Sequence, residues 1–106
     1  MLNLTPHAIT IVTPNGDVTI EPSGTVARVD TIETVVGVCT ITGVAIVERV
    51  LGIVTGLPEE SVVCLVSAMV LSAVPKRANT FAPDTGNTAI RNEKGHIVKV
   101  TRLVKA

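Results

Sequence analysis

From its N-terminal end the chain alternates in short runs: HAITIV from His7 to Val12, the polar step TPNGD, then VTIEPSG. Val, Ile and Thr suit the pleated, half-buried surface of a strand, and Asn-Gly between two such runs is a strong hairpin signal. A hairpin turning at Asn15-Gly16 is therefore predicted, with Pro22-Ser23-Gly24 ending it. Thr25 to Thr42 then supplies one long strand or two short ones, with Gly37 as a break or bulge. Ala45 to Val54 supplies another, closed by the turn Thr55-Gly56-Leu57-Pro58.

The pattern changes after Pro58. Glu59-Glu60 looks like the first turn of a helix, a stabilising place for carboxylates. Val62 to Val66 prefers a buried strand, whereas Ala68 to Ala73 carries helix formers; a split at Ser67 lets that residue cap a short helix. Pro75 stops the helix, Lys76 and Arg77 sit at its C-terminal end, and a loop of about ten residues runs through Phe81 to Asn87. A closing hairpin follows, from Thr88 to Arg91, through the turn Asn92-Glu93-Lys94-Gly95, and on from His96 to Val104. No repeat or linker interrupts residues 1–106, so the expected fold is one α+β domain. It consists of an antiparallel β-sheet with one or two short helices packed on a face.

Composition narrows the function classes. With 106 residues, 46% hydrophobic and 17% charged, the chain fits one globular domain with a single core. Nine Lys plus Arg balance nine Asp plus Glu. Neutrality argues against a general binder of DNA, RNA or an anionic membrane, while a local arginine cluster can still hold a small anion. The longest apolar run, Val62 to Val74, is too short to cross a bilayer and lacks the charged flank of a signal peptide. Cys39 and Cys64 lie in apolar surroundings and read as buried thiols, which suits a reducing cytoplasm. No metal set, cofactor fingerprint or catalytic constellation is visible.

Phe81 is the only aromatic residue. It lies in VPKRANTFAPDTGN, where Asn79, Thr80, Asp84, Thr85 and Asn87 offer polar groups and Arg77 and Arg91 are near in sequence. A ring beside guanidinium groups can stack a nucleobase, and the arginines suit phosphate. The plainer alternative is a ring folded back over the edge of the core. Strand alternation from His96 to Val104 places Arg102 on the face of Val98, Val100 and Val104, where an apolar residue was expected. Arg28 is similarly placed within TVARVDTI. Two such arginines point to an anion pocket at a sheet end or a subunit interface, against the alternative of strand ends emerging into water. His7 and His96 are candidate bases, with no nucleophile brought to either by the sequence.

The segments LNLTPHAITIV, EPSG followed by TVARV, VCLVSAMVLSAVPKRANTFAPDTGN and AIRNEKGHIVKVTRL together resemble a family of small phage proteins, the anti-Thoeris sponges. That family sequesters cyclic ADP-ribose signals made by bacterial TIR enzymes. The resemblance implies a non-enzymatic α+β protein acting in the cytoplasm of an infected bacterial host, dimeric and able to assemble further into a hexamer as a trimer of dimers. Glycocyclic ADP-ribose is the implied ligand, and some hexameric members hold cyclic oligonucleotides at separate sites. The family's pocket lies at each edge of the dimer interface. It uses an aromatic ring against adenine, arginines at the ring and diphosphate, and a partner-chain asparagine. Phe81 matches the ring, Arg28 and Arg102 match the strand arginines, and Asn79, Asn87 and Asn92 are the candidates for the asparagine. Arg77 and Arg91 remain rival phosphate ligands, with Asp84 and Thr85 among the flanking polar groups. Two other readings stay open: a small structural or assembly protein of a phage particle, and a nucleotide phosphodiesterase using His7 or His96.

Overall fold

In the computed structural model, which describes residues 1–74 and 76–105, the elements begin with β1 (Leu2–Asn3), β2 (Ile9–Thr13), β3 (Gly16–Ile20), β4 (Arg28–Val38) and β5 (Ala45–Thr55). Then come β6 (Cys64–Leu65), α1 (Ala68–Ala73), β7 (Thr80–Pro83), β8 (Ile90–Arg91), β9 (Ile97–Lys99) and β10 (Leu103–Lys105). The fold is α+β, mostly antiparallel strands with one short helix among the described residues. Its central sheet runs in the order β1-β6-β7-β10; β6 lies parallel to both β1 and β7, and β10 is antiparallel to β7. Three separate hairpins, β2-β3, β4-β5 and β8-β9, surround it.

A parallel pair needs a crossover, and between β6 and β7 that crossover contains α1. Ser67 starts the helix: its backbone is extended and its Oγ accepts from the Val70 N–H at 3.2 Å. Val70 and Leu71 turn inward from α1, and their core partners are Leu4, Ala27, Cys64, Val66 and Ala82. Small residues at Ala27, Cys64 and Ala82 let the helix, the sheet and the start of β4 approach closely. Pro75, read from the sequence as the helix stop, lies outside the described residues.

On the other side of the sheet the register sets a row across adjacent strands, Asn3, Leu65, Phe81 and Lys105. Leu65 is fully buried, and the half-buried Phe81 stands between it and Lys105. Asn3, equally buried, is the polar end of the row. Its Nδ2 donates to the carbonyls of His7 and Ile20 at 2.8 and 2.9 Å, and its Oδ1 accepts from the Thr5 N–H and hydroxyl. One side chain thus ties β1 to the entry and exit of the β2-β3 hairpin.

The β4-β5 hairpin is unlike the rest. Each strand has 11 residues, spanning about 35 Å, and beyond its root both faces are open. Val29 and Val54 at the root pack on the core, whereas Ile32, Val35, Ile41 and Ile53 are 62%, 65%, 91% and 72% exposed. Register shifts fall between Val29 and Thr31 and between Val35 and Gly37, so the expected irregularity at Gly37 is present. The arm stretches the molecule to 55 × 38 × 23 Å and its radius of gyration to 16.7 Å. A compact chain of this length would have about 13 Å.

Several local expectations change. The first turn is Pro14-Asn15, because Thr13 pairs with Gly16. An Asn-Gly turn of the mirror-image type needs positive φ at both residues, and here only Gly16 has it, at 116°. Glu59-Glu60 forms no helix: Arg77 holds the Pro58 carbonyl and Asn79 holds the Glu60 carbonyl, drawing this backbone sideways toward β7. The expected loop around Phe81 contains β7, since Thr80 to Pro83 finds a partner on either side. The expected last strand is two, β9 and β10, because the chain changes partner from β8 to β7 around Thr101-Arg102. Cys64 is buried as expected. Cys39 is half-buried near the arm's tip, and hydrogen bonding from Thr42, then the backbone, holds its thiol below the ordinary range. The Val- and Ile-rich runs read as strands from Thr25 to Thr42 and Ala45 to Val54 form the arm, most of it exposed.

Candidate functional site

Where β7 ends and β10 begins, Pro83 pairs with Leu103 and the next residues leave the ladder. The Asp84 N–H still donates to the Arg102 carbonyl at 3.0 Å, and the Arg102 side chain returns to Asp84 Oδ2 with Nε at 3.0 Å and an Nη at 2.7 Å. The Asp84 carboxylate also accepts from the Gly86 N–H at 3.0 Å. That backbone bond first, and Arg102 next, hold its carboxyl below the usual carboxylate range. Arg91 approaches the same loop from β8, donating to the Thr85 carbonyl at 3.3 Å and to Gly95 in its own turn at 2.9 Å. Thr101 closes the cluster through the Thr88 carbonyl.

Arg91, Arg102, Asp84 and Thr85 are therefore brought together around one loop that also exposes Asn87. Arg102 is paired with the Asp84 carboxylate, while Arg91 is bonded to the Thr85 and Gly95 carbonyls. The loop forms the wall between two open clefts, with Pro83 and Thr85 lining both. One cleft, about 400 Å³, is mostly apolar, with Ile9, Ala68, Ile97 and Val98 on its walls and His7 and Lys99 among its polar groups. Lys99 is paired there with Asp17 at 2.5 Å. The other, about 520 Å³, includes Asp84, Gly86, Ser72 and Lys105. Such volumes suit small molecules.

The remaining candidates lie apart from this loop. Phe81 lines neither cleft and is half-buried beside Leu65. Arg77 is spent on the fold, with Nε on Thr80 Oγ1 at 3.0 Å and an Nη on the Pro58 carbonyl at 2.6 Å. Arg28, exposed, borders a shallow groove at the arm's root with Pro6 and Met69. Asn79 is bonded to Glu60, and Asn92 shapes its own turn by accepting from the Lys94 and His96 N–H groups. The face expected for Arg102 rested on an unbroken strand, and the break at Thr101-Arg102 replaces that geometry with the ion pair to Asp84. His96 is exposed on the β8-β9 turn, and His7 lines the first cleft together with Ile97, the residue after His96.

Asn3 and the Lys99–Asp17 pair, which position the first cleft, were not singled out by sequence pattern. Asn3 did carry a signal: an amide inside the apolar start LNL. Lys99 carried none, because its partner is far away in the chain. Among the described residues no helix is long and apolar enough to cross a membrane, and no group of His, Cys, Asp or Glu gathers as a metal site. No family model matches the chain, and no match is found among curated proteins or solved structures.

Proposed function

We propose that this protein is a phage anti-defence sponge that binds a cyclic ADP-ribose-type signal, with glycocyclic ADP-ribose as the first ligand to test, and holds it without cleavage. It would act in the cytoplasm of the infected bacterium against TIR-based immunity, as a homodimer or hexamer, with cyclic oligonucleotides as further ligands. One observation supports the reading most: Arg91 bonds Thr85 and Arg102 bonds Asp84 in a loop whose Thr85 lines two clefts of about 400 and 520 Å³, with both guanidinium groups outside the cleft linings. A diphosphate suits two guanidinium groups, Arg102 exchanging the Asp84 carboxylate for phosphate on binding, and an apolar cleft wall suits the base. Phe81, half-buried on the adjoining strand, is the stacking candidate only through its exposed edge.

Incubation with glycocyclic ADP-ribose, removal of free ligand and heat release should return intact nucleotide near one equivalent per site. A linearised product would instead support the phosphodiesterase reading with His7 or His96 as base. Loss of one charge-assisted contact costs about 1.5–3 kcal/mol, so Arg91→Ala and Arg102→Ala should each weaken binding roughly 10- to 100-fold. Unchanged affinity in both variants would remove this site from consideration. The exposed arm favours a second reading, a structural or assembly protein of a phage particle, which would assemble but retain no nucleotide.

A further inference from the structure

We infer that Lys76, Arg77 and Lys105 form a second anion site, separate from the loop after Pro83, which takes the terminal phosphoryl group of a small molecule. The three side chains, with Ala78, line a cleft of about 400 Å³ at the start of β7. Lys76 and Arg77 enter it from the segment that precedes β7, and Lys105 from the end of β10, where it pairs in register with Phe81. Asp84 and Arg102 sit at the opposite end of the same strand pair. Among the described residues no carboxylate lines the cleft, and the ion pairs Arg49–Glu33, Lys99–Asp17 and Arg102–Asp84 leave its three cations out. Glu59 and Glu60, on the backbone that Arg77 and Asn79 hold, are exposed and take no part in those pairs. Three positive side chains thus converge in a chain whose charges balance overall.

Support for the central cation is built into the fold. Arg77 Nε donates to the Thr80 hydroxyl at 3.0 Å and one Nη to the Pro58 carbonyl at 2.6 Å. Thr80 is fully buried and its Oγ1 lies 3.6 Å from the Cys64 sulfur, so the acceptor is itself fixed. Both acceptors are uncharged; they set the plane of the guanidinium and supply no carboxylate to offset it. Its other Nη has no partner among the described residues. The two lysines are exposed, on flexible stems that can bring an ammonium to a ligand from either side. A phosphate monoester carries about −1.5 to −2 charge at pH 7 and presents its terminal oxygens to several donors at once. A carboxylate, or a phosphate bridged on two sides, has a single charge and fewer free oxygens, a poorer match to one guanidinium and two ammonium groups. The site is therefore independent of the sponge reading, whose cyclic ligand has no terminal phosphate.

NMR titration of the full chain tests this, following the Arg77 Nε–H and the Ala78 and Lys105 amide signals at constant ionic strength. Phenyl phosphate and inorganic phosphate should each shift them saturably, while dimethyl phosphate and acetate should bind roughly tenfold more weakly. Tighter phenyl phosphate identifies an organic monoester as the ligand, tighter inorganic phosphate the free ion, and either supports the site. Lys76→Gln should weaken phosphate binding roughly fivefold. Lys105 also borders the cleft with Ser72 and Asp84, so Lys76 is the discriminating position. Amide protection at Cys64 and Leu65 should persist in Lys76→Gln, because Lys76 is exposed. Absence of saturable shifts overturns the inference, as does a Lys76→Gln, Lys105→Gln protein that binds phosphate like the wild type, or dimethyl phosphate that binds equally well. Glycocyclic ADP-ribose that competes with phosphate for these signals would also overturn it, by merging the site with the nucleotide's. Phosphate bound by a chain that retains no cyclic nucleotide would leave this site standing and reject the sponge reading alone.

Discussion

Replacing Asn3 should damage the fold more than its place near the chain's start suggests. The side chain is 1% exposed and makes four hydrogen bonds, two donated to the His7 and Ile20 carbonyls and two accepted from Thr5. At about 1 kcal/mol net for each, Asn3→Ala forfeits about 4 kcal/mol. Residue His7 is exposed, so water can restore part of this, leaving a loss of about 3 kcal/mol. That is a large share of the 5–15 kcal/mol typical of a domain, and with a urea slope of about 1.5 kcal/mol per molar the midpoint should fall by about 2 M. Urea unfolding at one fixed protein concentration measures it. Asn3→Asp adds a test of direction: it keeps an acceptor for Thr5 but turns an anionic oxygen toward two carbonyls. Its folded carboxyl pKa should be raised, so the deficit should grow as pH rises from the unfolded value of about 3.9 and shrink on acidification. An Asn3→Ala midpoint equal to the wild type, or an Asp variant most stable at neutral pH, would refute the reasoning.

Asp84 should show the opposite pH dependence. Its folded pKa is depressed by the Gly86 N–H and then Arg102, so its stabilisation is present above the ordinary carboxylate value and is lost as pH falls through the folded pKa. An NMR titration should find the Asp84 carboxyl midpoint below that of a free aspartate, and Arg102→Ala should move it back only in part. Phe81→Leu should leave stability close to wild type, because Leu still covers Leu65, and the same variant measures the ring's share of nucleotide affinity. A stacked base would lose about 1–3 kcal/mol, whereas a covering role predicts unchanged binding.

Local chemistry made much of the element order legible. Gly56 ends β5 with φ of 85°, and a Cβ there would come within 2.9 Å of the Val26 carbonyl, so the turn after Thr55 needs glycine. Ser67 has the short acceptor that a helix start requires, and it caps α1. The positive φ at Gly56 and the cap at Ser67 are local requirements, although the close approach of Val26 adds a distant one at Gly56. By contrast, the split between β9 and β10 is a change of partner, and alternation in HIVKVTRLV is equally compatible with one strand or two. Burial was the least legible property. Val and Ile prefer strands whether the surface they face belongs to the same chain or another, so the pattern that marks the arm as β cannot mark it as exposed.

The same distinction explains the single ring. Strand pairing on both sides of Thr80 to Pro83 converts a segment of turn-forming residues into β7, and alternation then sends Thr80 and Ala82 toward α1 and Phe81 to the reverse face. There it meets a row whose other members are a buried amide, a buried leucine and a lysine. A large apolar group at that position shields Leu65 without help from the helix, which covers only the opposite face. The arginines nearest in sequence separate accordingly: Arg77 braces the backbone before β6, while Arg91 and Arg102 converge beyond the end of β7. Proximity along the chain thus put Arg77 and Arg91 together with the ring, and the fold sends them to different neighbours. Arg91 comes from β8 and Arg102 from the turn before β10, and both reach the loop after Pro83 only in the folded chain.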